Sequence, residues 1–95
     1  MSESLLRLYI AGNAASSRRA EQNLSRLQTL IKADGWKVEV IDVLVRPELA
    51  EQASILATPT LCYHHSGRPR RIIGDLSDTR KVLEFLGIEP KEGAA

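Results

Sequence analysis

The sequence predicts an α/β domain with element order βαβαββα, its helices packed on a mixed four-stranded sheet. Three observations carry that prediction. Segments rich in β-branched residues alternate with segments whose apolar residues recur at helical spacing. Gly or Pro stands at most of the boundaries between them, where the chain must turn. The 95 residues, 43% hydrophobic and 26% charged, suit one domain with one core over residues 1–95, ordered from about 5 to 88.

Leu5 to Ala11 alternates Leu6, Leu8 and Ile10 against Leu5, Arg7 and Tyr9, so it reads as a strand whose better-buried face carries the even positions. Gly12-Asn13 stops it. In the helix that follows, Ser16 or Ser17 can cap the free N–H groups, and Ala20, Leu24, Leu27 and Ile31 make one apolar stripe. Gly35 is its stop signal. Arg18, Arg19, Glu21, Gln22, Arg26 and Lys32 fall mostly on the wetter face. Trp36 to Val43 is a second β-branched run, and the helical segment before it lets the first two strands run parallel.

Pro47 suits the first turn of a short helix, where its missing N–H costs nothing, and Glu48 and Glu51 favour that positive end. Leu49, Ala50, Ala53 and Leu56 are expected to face inward. Pro59 ends this pattern, because it fixes its own φ and disfavours a helical conformation at Thr58. The sequence leaves both isomers of the Thr58-Pro59 bond open. Leu61 to His65 and Arg70 to Ile73 then read as a hairpin across Ser66-Gly67-Arg68-Pro69, with Gly67 supplying the turn and Pro69 tolerable at a strand start or an edge. Gly74-Asp75 closes it. Ser77 can cap a last helix in which Leu76, Val82, Leu83 and Leu86 are apolar, and Gly87 sits just past its end.

Several function classes find no support. Thirteen basic against twelve acidic residues leave +1, which gives no electrostatic argument for nucleic acid or membrane. No apolar run approaches ~20 residues and the N-terminus lacks a signal-peptide pattern, so a cytoplasmic location is expected. The single Cys62 excludes an internal disulfide and a Cys-x-x-Cys motif, and reads as a buried structural thiol. His64 and His65 are adjacent on a strand and so face opposite ways, unsuited to sharing one metal. Asp42 and Asp75 form no paired acid-base constellation, Asp75 being better explained by a turn. There is no phosphate loop; neither a catalytic residue nor a cofactor is expected. What remains is local charge. Arg68, Arg70 and Arg71 cluster on the hairpin and Arg18 and Arg19 open the first helix, where they can pair with carboxylates across a protein interface.

The element order, with a Pro before the third strand, resembles the thioredoxin-like fold. Five segments together resemble something narrower: Leu6-Arg7-Leu8-Tyr9-Ile10-Ala11-Gly12-Asn13, Val40-Ile41-Asp42-Val43-Leu44, Pro47-Glu48-Leu49-Ala50-Glu51, Ile55-Leu56-Ala57-Thr58-Pro59-Thr60-Leu61 and Arg70-Arg71-Ile72-Ile73-Gly74-Asp75-Leu76-Ser77. In register from about Leu5 to Leu86, they are similar to the KaiB family of circadian clock proteins. The resemblance implies a non-enzymatic protein that binds the KaiC ATPase ring and modulates its phosphorylation cycle or output, with KaiA or a competing SasA-type kinase as further partners. It also implies two folds, a resting homo-tetramer with a different second half and a thioredoxin-like monomer that binds KaiC. Arg19, Arg70 and Arg71 match basic positions of the family and are the expected partner contacts. Glu39 and Ser54 depart from it, standing where Lys is common.

The alternative implied by the same resemblance is a thioredoxin-like sensor or interaction domain, similar to the N-terminal domain of SasA kinases, in signalling without a rhythm. A dithiol oxidoreductase of thioredoxin type is disfavoured, because Asn13-Ala14-Ala15-Ser16-Ser17 occupies the place of the reactive thiolate. Two further departures bear on the choice of fold. Gly67 stands in a link that is proline-rich in many KaiB proteins. Lys81-Val82-Leu83-Glu84-Phe85-Leu86-Gly87 replaces a Lys-Val-Leu-Ile-Gly-Leu-Asp pattern, so Phe85 removes an interior Gly, worth up to about 1 kcal/mol in a helix, and Gly87 adds a stop. A gap of about 2–3 kcal/mol decides a two-state population. The expectation is therefore a thioredoxin-like resting monomer, with Pro59, Gly67, Asp75, Phe85 and Gly87 as fold-determining residues.

Overall fold

Among the described residues, seven elements follow one another in the order read from the sequence. A computed structural model describes residues 4–31, 36–65 and 68–87. They form β1 (Ser4–Ile10), α1 (Ala15–Ile31), β2 (Trp36–Asp42), α2 (Pro47–Gln52), β3 (Thr60–His65), β4 (Arg68–Ile73) and α3 (Thr79–Leu86). The sheet runs β2-β1-β3-β4, with β1 and β2 parallel and the other two pairings antiparallel. It is thus the mixed four-stranded sheet expected, with β1 and β3 in its interior.

β1 is covered on both faces near its end, which the alternation only half predicts. Leu6, Leu8 and Ile10 join Leu61 and Tyr63 of β3, Ala20, Leu24 and Leu27 of α1, and Val82, Leu83 and Leu86 of α3 in the main core. On the opposite face Tyr9, Ile41 and Cys62 form a smaller cluster, over which Leu49 and Ala53 pack from α2 and its end. Cover on the second side buries Tyr9 of the odd positions, while Leu5 and Arg7 stay partly exposed.

The local structure differs from expectation in four places. Ser17 lies inside the first turn of α1, buried, and its hydroxyl accepts the Ala11 N–H at 3.0 Å, so it joins helix to strand end and neither it nor Ser16 precedes the helix. Asp78, not Ser77, caps α3, its carboxylate accepting the Lys81 N–H at 3.2 Å. Leu76 precedes α3 with φ +64° yet is buried in the core. Leu56 does not face inward. It is 95% exposed, because α2 stops at Gln52 and the chain turns through Ser54 at φ +56°, breaking the helical spacing that aligned it with Leu49.

Gly87 caps α3 in the left-handed region (φ +74°), as its place in the sequence implies. The Thr58-Pro59 bond is cis, and the Pro59 carbonyl accepts the Gly74 N–H at 3.0 Å, tying the start of β3 to the end of β4. The expectations for Gly35 and Gly67 fall outside the described residues.

Candidate interaction surface

On β4, an edge strand, successive side chains point to opposite faces, and the arginines are divided accordingly. The Arg70 guanidinium lies 5.6 Å from the centre of the Phe85 ring, which in turn meets Tyr63 edge to face at 6.1 Å. Phe85 thus anchors α3 against the hairpin. Arg71, on the other face, donates to the Ser54 carbonyl at 2.9 Å and the Ala53 carbonyl at 3.0 Å. Arg19 reaches neither. Its Nε donates to Asp75 Oδ2 at 3.0 Å, linking α1 to the turn after β4.

That turn is held from several directions. Asp75 Oδ1 accepts the Ser77 N–H at 3.1 Å, and the Asp75 carbonyl accepts from the Asn23 side chain at 2.7 Å. Hydrogen bonds from Ser77, then the Arg19 guanidinium, hold the Asp75 carboxyl below its ordinary value. The turn role read from the sequence is what the geometry gives. The three arginines expected to contact a partner therefore occupy three separate settings on the described surface, all exposed. The side chains of Arg68 and His65 lie outside the described residues.

Sequence reasoning did not single out an apolar group at one end of the sheet. The parallel strands β1 and β2 end there and β3 begins, so the connecting loops gather. Leu44 and Val45 in the turn after β2, Leu56 before β3 and Ile73 at the end of β4 are 70%, 69%, 95% and 64% exposed. Asp42 shapes this end by accepting the Gly12 and Leu44 N–H groups, both at 3.0 Å. Exposed apolar residues in loops are a feature of interaction surfaces. The available signal was Leu44-Val45 itself, two apolar residues where a turn is ordinarily polar.

Among the described residues, the setting of the cysteine does not activate it as a nucleophile. Cys62 is buried between Arg7 and Arg71 in register on the neighbouring strands; burial pushes its thiol pKa up, against a smaller opposing pull from those two cations. Arg7 is itself paired with Glu39 of β2 at 2.8 Å, so the residue that departs from a common family Lys is engaged across the sheet. A cleft of about 310 Å³ between the end of β4 and the start of α3 has Asp75, Asp78 and Lys81 on its walls beside Ile72 and Val82. Among the described residues, no three His, Cys, Asp or Glu side chains gather as a metal site, and no helix is long and apolar enough to cross a membrane.

The chain's relatives agree with one another. A model of the KaiB domain matches residues 7–88. The circadian clock protein KaiB3 of a Synechocystis species is 44% identical over 91 residues, which are 96% of this chain and 89% of that protein. The circadian clock oscillator protein KaiB of Synechococcus elongatus is 48% identical over 84 residues, 88% of this chain and 82% of that one. Two solved structures share the fold. Fasciola hepatica thioredoxin superposes with a TM-score of 0.76 at 20% identity, covering 90% of this chain and 80% of its own. For the N-terminal domain of Synechococcus elongatus SasA the TM-score is 0.72 at 23% identity, with 92% and 86% covered. The architecture is thioredoxin-like.

Proposed function

The chain belongs to the KaiB family of circadian clock proteins, and from that premise we propose that it binds a KaiC-type ATPase ring and modulates the ring's phosphorylation cycle or output without chemistry of its own. The family match, spanning residues 7–88, is the observation that carries this reading. Support comes from the junction of β1 and α1, where exposed Asn13 and Ala14 stand in place of a thiolate, and from the inert setting of Cys62. Exposed Arg19 on α1 and Arg70 on β4 are the contacts we assign to carboxylates of the ring, together with Arg71, which lies on the opposite face of β4. A SasA-type kinase competes for the same ring surface in this reading, in the cytoplasm. KaiA is a secondary partner, because Glu39 replaces a basic residue and is occupied by Arg7.

Mixing the chain with the KaiC-type ATPase of the same genome, with and without ATP, and measuring the mass of the complex is the test. A ring carrying bound chains is expected; free components under both conditions reject the reading. Arg70→Glu should weaken the complex by roughly tenfold, the effect of removing one charge-assisted hydrogen bond, and an unchanged affinity would remove the hairpin from the docking surface.

The resting state we propose is the thioredoxin-like monomer. Helix α3, with a carboxylate cap at one end and Gly87 at the other, supports it. Backbone chemical shifts should be helical over Val82 to Leu86, and extended shifts there would place the chain in the tetrameric fold. The likeness to the SasA N-terminal domain favours one second reading, an interaction domain in non-circadian signalling. Absence of ring binding together with capture by a kinase would select it.

A further inference from the structure

Arg71 stands apart from the other arginines because both of its hydrogen bonds go inward, to the carbonyls of Ala53 and Ser54 where α2 ends. Helix α2 needs such help. It has six residues, none buried, and its N-cap Arg46 makes no side-chain cap bond. So short a helix does not persist by itself in water. Its contact with the sheet is the half-buried Leu49, Ala53 and Ile55 resting on Tyr9, Ile41 and Cys62. At its end Ser54 takes φ +56°, a conformation unfavourable for a residue with a side chain, and the carbonyl of that same residue is one of the two that Arg71 holds. The guanidinium fork suits two adjacent carbonyls, and its charge suits the negative end of a helix.

We propose that Arg71 is a latch on the connection between α2 and β3: while it grips Ala53 and Ser54, α2 stays closed on the sheet, and when it lets go α2 and the following turn swing open together, uncovering Tyr9, Ile41 and Cys62 while the α1–α3 face stays packed. The opening changes what the loop end presents, since Leu56 lies just beyond the latched residues. Arg71 thus acts on the interaction surface by positioning α2, whereas Arg70, over Phe85 on the opposite face, does not.

The isolated chain suffices for the test, so its outcome is independent of ring binding. Cys62 is the reporter beneath α2, read by its rate of alkylation with N-ethylmaleimide. Amide exchange of Ala53 and Ile55, whose N–H groups bond to Leu49 and Ala50, reads α2 directly. Arg71→Ala should raise the amide rates by about tenfold, the factor expected for losing one net hydrogen bond to a charged group, and the alkylation rate by less, because loss of the cation also raises the Cys62 thiol pKa. Arg71→Lys keeps a long side chain over Cys62 but cannot bridge both carbonyls, and should raise the amide rates nearly as much. Arg70→Ala should leave both at wild-type values. Wild-type amide exchange at Ala53 and Ile55 in both Arg71 variants would overturn the latch. So would an equal acceleration at Leu8 and Leu27 in Arg71→Lys, because the whole domain would then be opening.

Discussion

The two faces of the sheet are held by different forces. Among the described residues, twelve buried ones drawn from four elements and one turn lie beneath α1 and α3, and three, Tyr9, Ile41 and Cys62, lie beneath α2. Burial of apolar surface, at about 25 cal/mol per Å², dominates the first face. The second depends on single polar contacts, with Asp42 receiving two loop N–H groups and Arg71 gripping two carbonyls. Breaking one of these matters locally and little elsewhere.

Substitutions on the two faces sharpen the contrast. The largest effect belongs to Leu8→Ala, which empties a fully buried site in the main core and should cost about 2–5 kcal/mol in a urea titration. Leu49→Ala, on half-buried α2, should cost about 1 kcal/mol or less. Equal losses would erase the distinction between the faces. Gly87→Ala places a side chain at φ +74° and should cost about 1 kcal/mol, seen as a shifted denaturation midpoint with the slope retained. Asp78→Ala removes an exposed cap and should cost about 0.5–1 kcal/mol, concentrated in amide exchange of the first turn of α3.

The smallest effect depends on pH. Because the folded chain lowers the Asp75 carboxyl below its ordinary 3.8, through Ser77 and then Arg19, the group stabilises the fold above that pH. The contribution disappears as pH falls through the lower folded-state value. Asp75→Asn should therefore be less stable than wild type at neutral pH, with the difference closing toward acid; a gap independent of pH would mean that the carboxylate charge plays no part.

Some of these features were readable from residues alone. Leu6, Leu8 and Ile10 gave the inner face of β1, Pro47 the start of α2, and Gly87 the end of α3. Others were misread for a common reason. Ser17 and Ser77 have the chemistry of a cap, but the first is spent on the Ala11 N–H and the second lost the place to its neighbour Asp78. Leu56 fitted a helical stripe until the helix stopped short of it. Of the candidate surface, the basic residues were visible and the exposed Leu44, Val45, Leu56 and Ile73 were not, since an apolar letter in a sequence does not say whether anything covers it.

By itself the sequence determined the order of elements, the main core face and the family, because these rest on side-chain period, on backbone preference at Gly and Pro, and on segments kept in register. Tertiary structure alone decided which arginine meets which partner. Arg71 and Ser54 are 17 positions apart, Arg19 and Asp75 are 56 apart, and only the pairing of distant strands and helices brings such groups within the 2.9 to 3.0 Å at which a charge finds its acceptor.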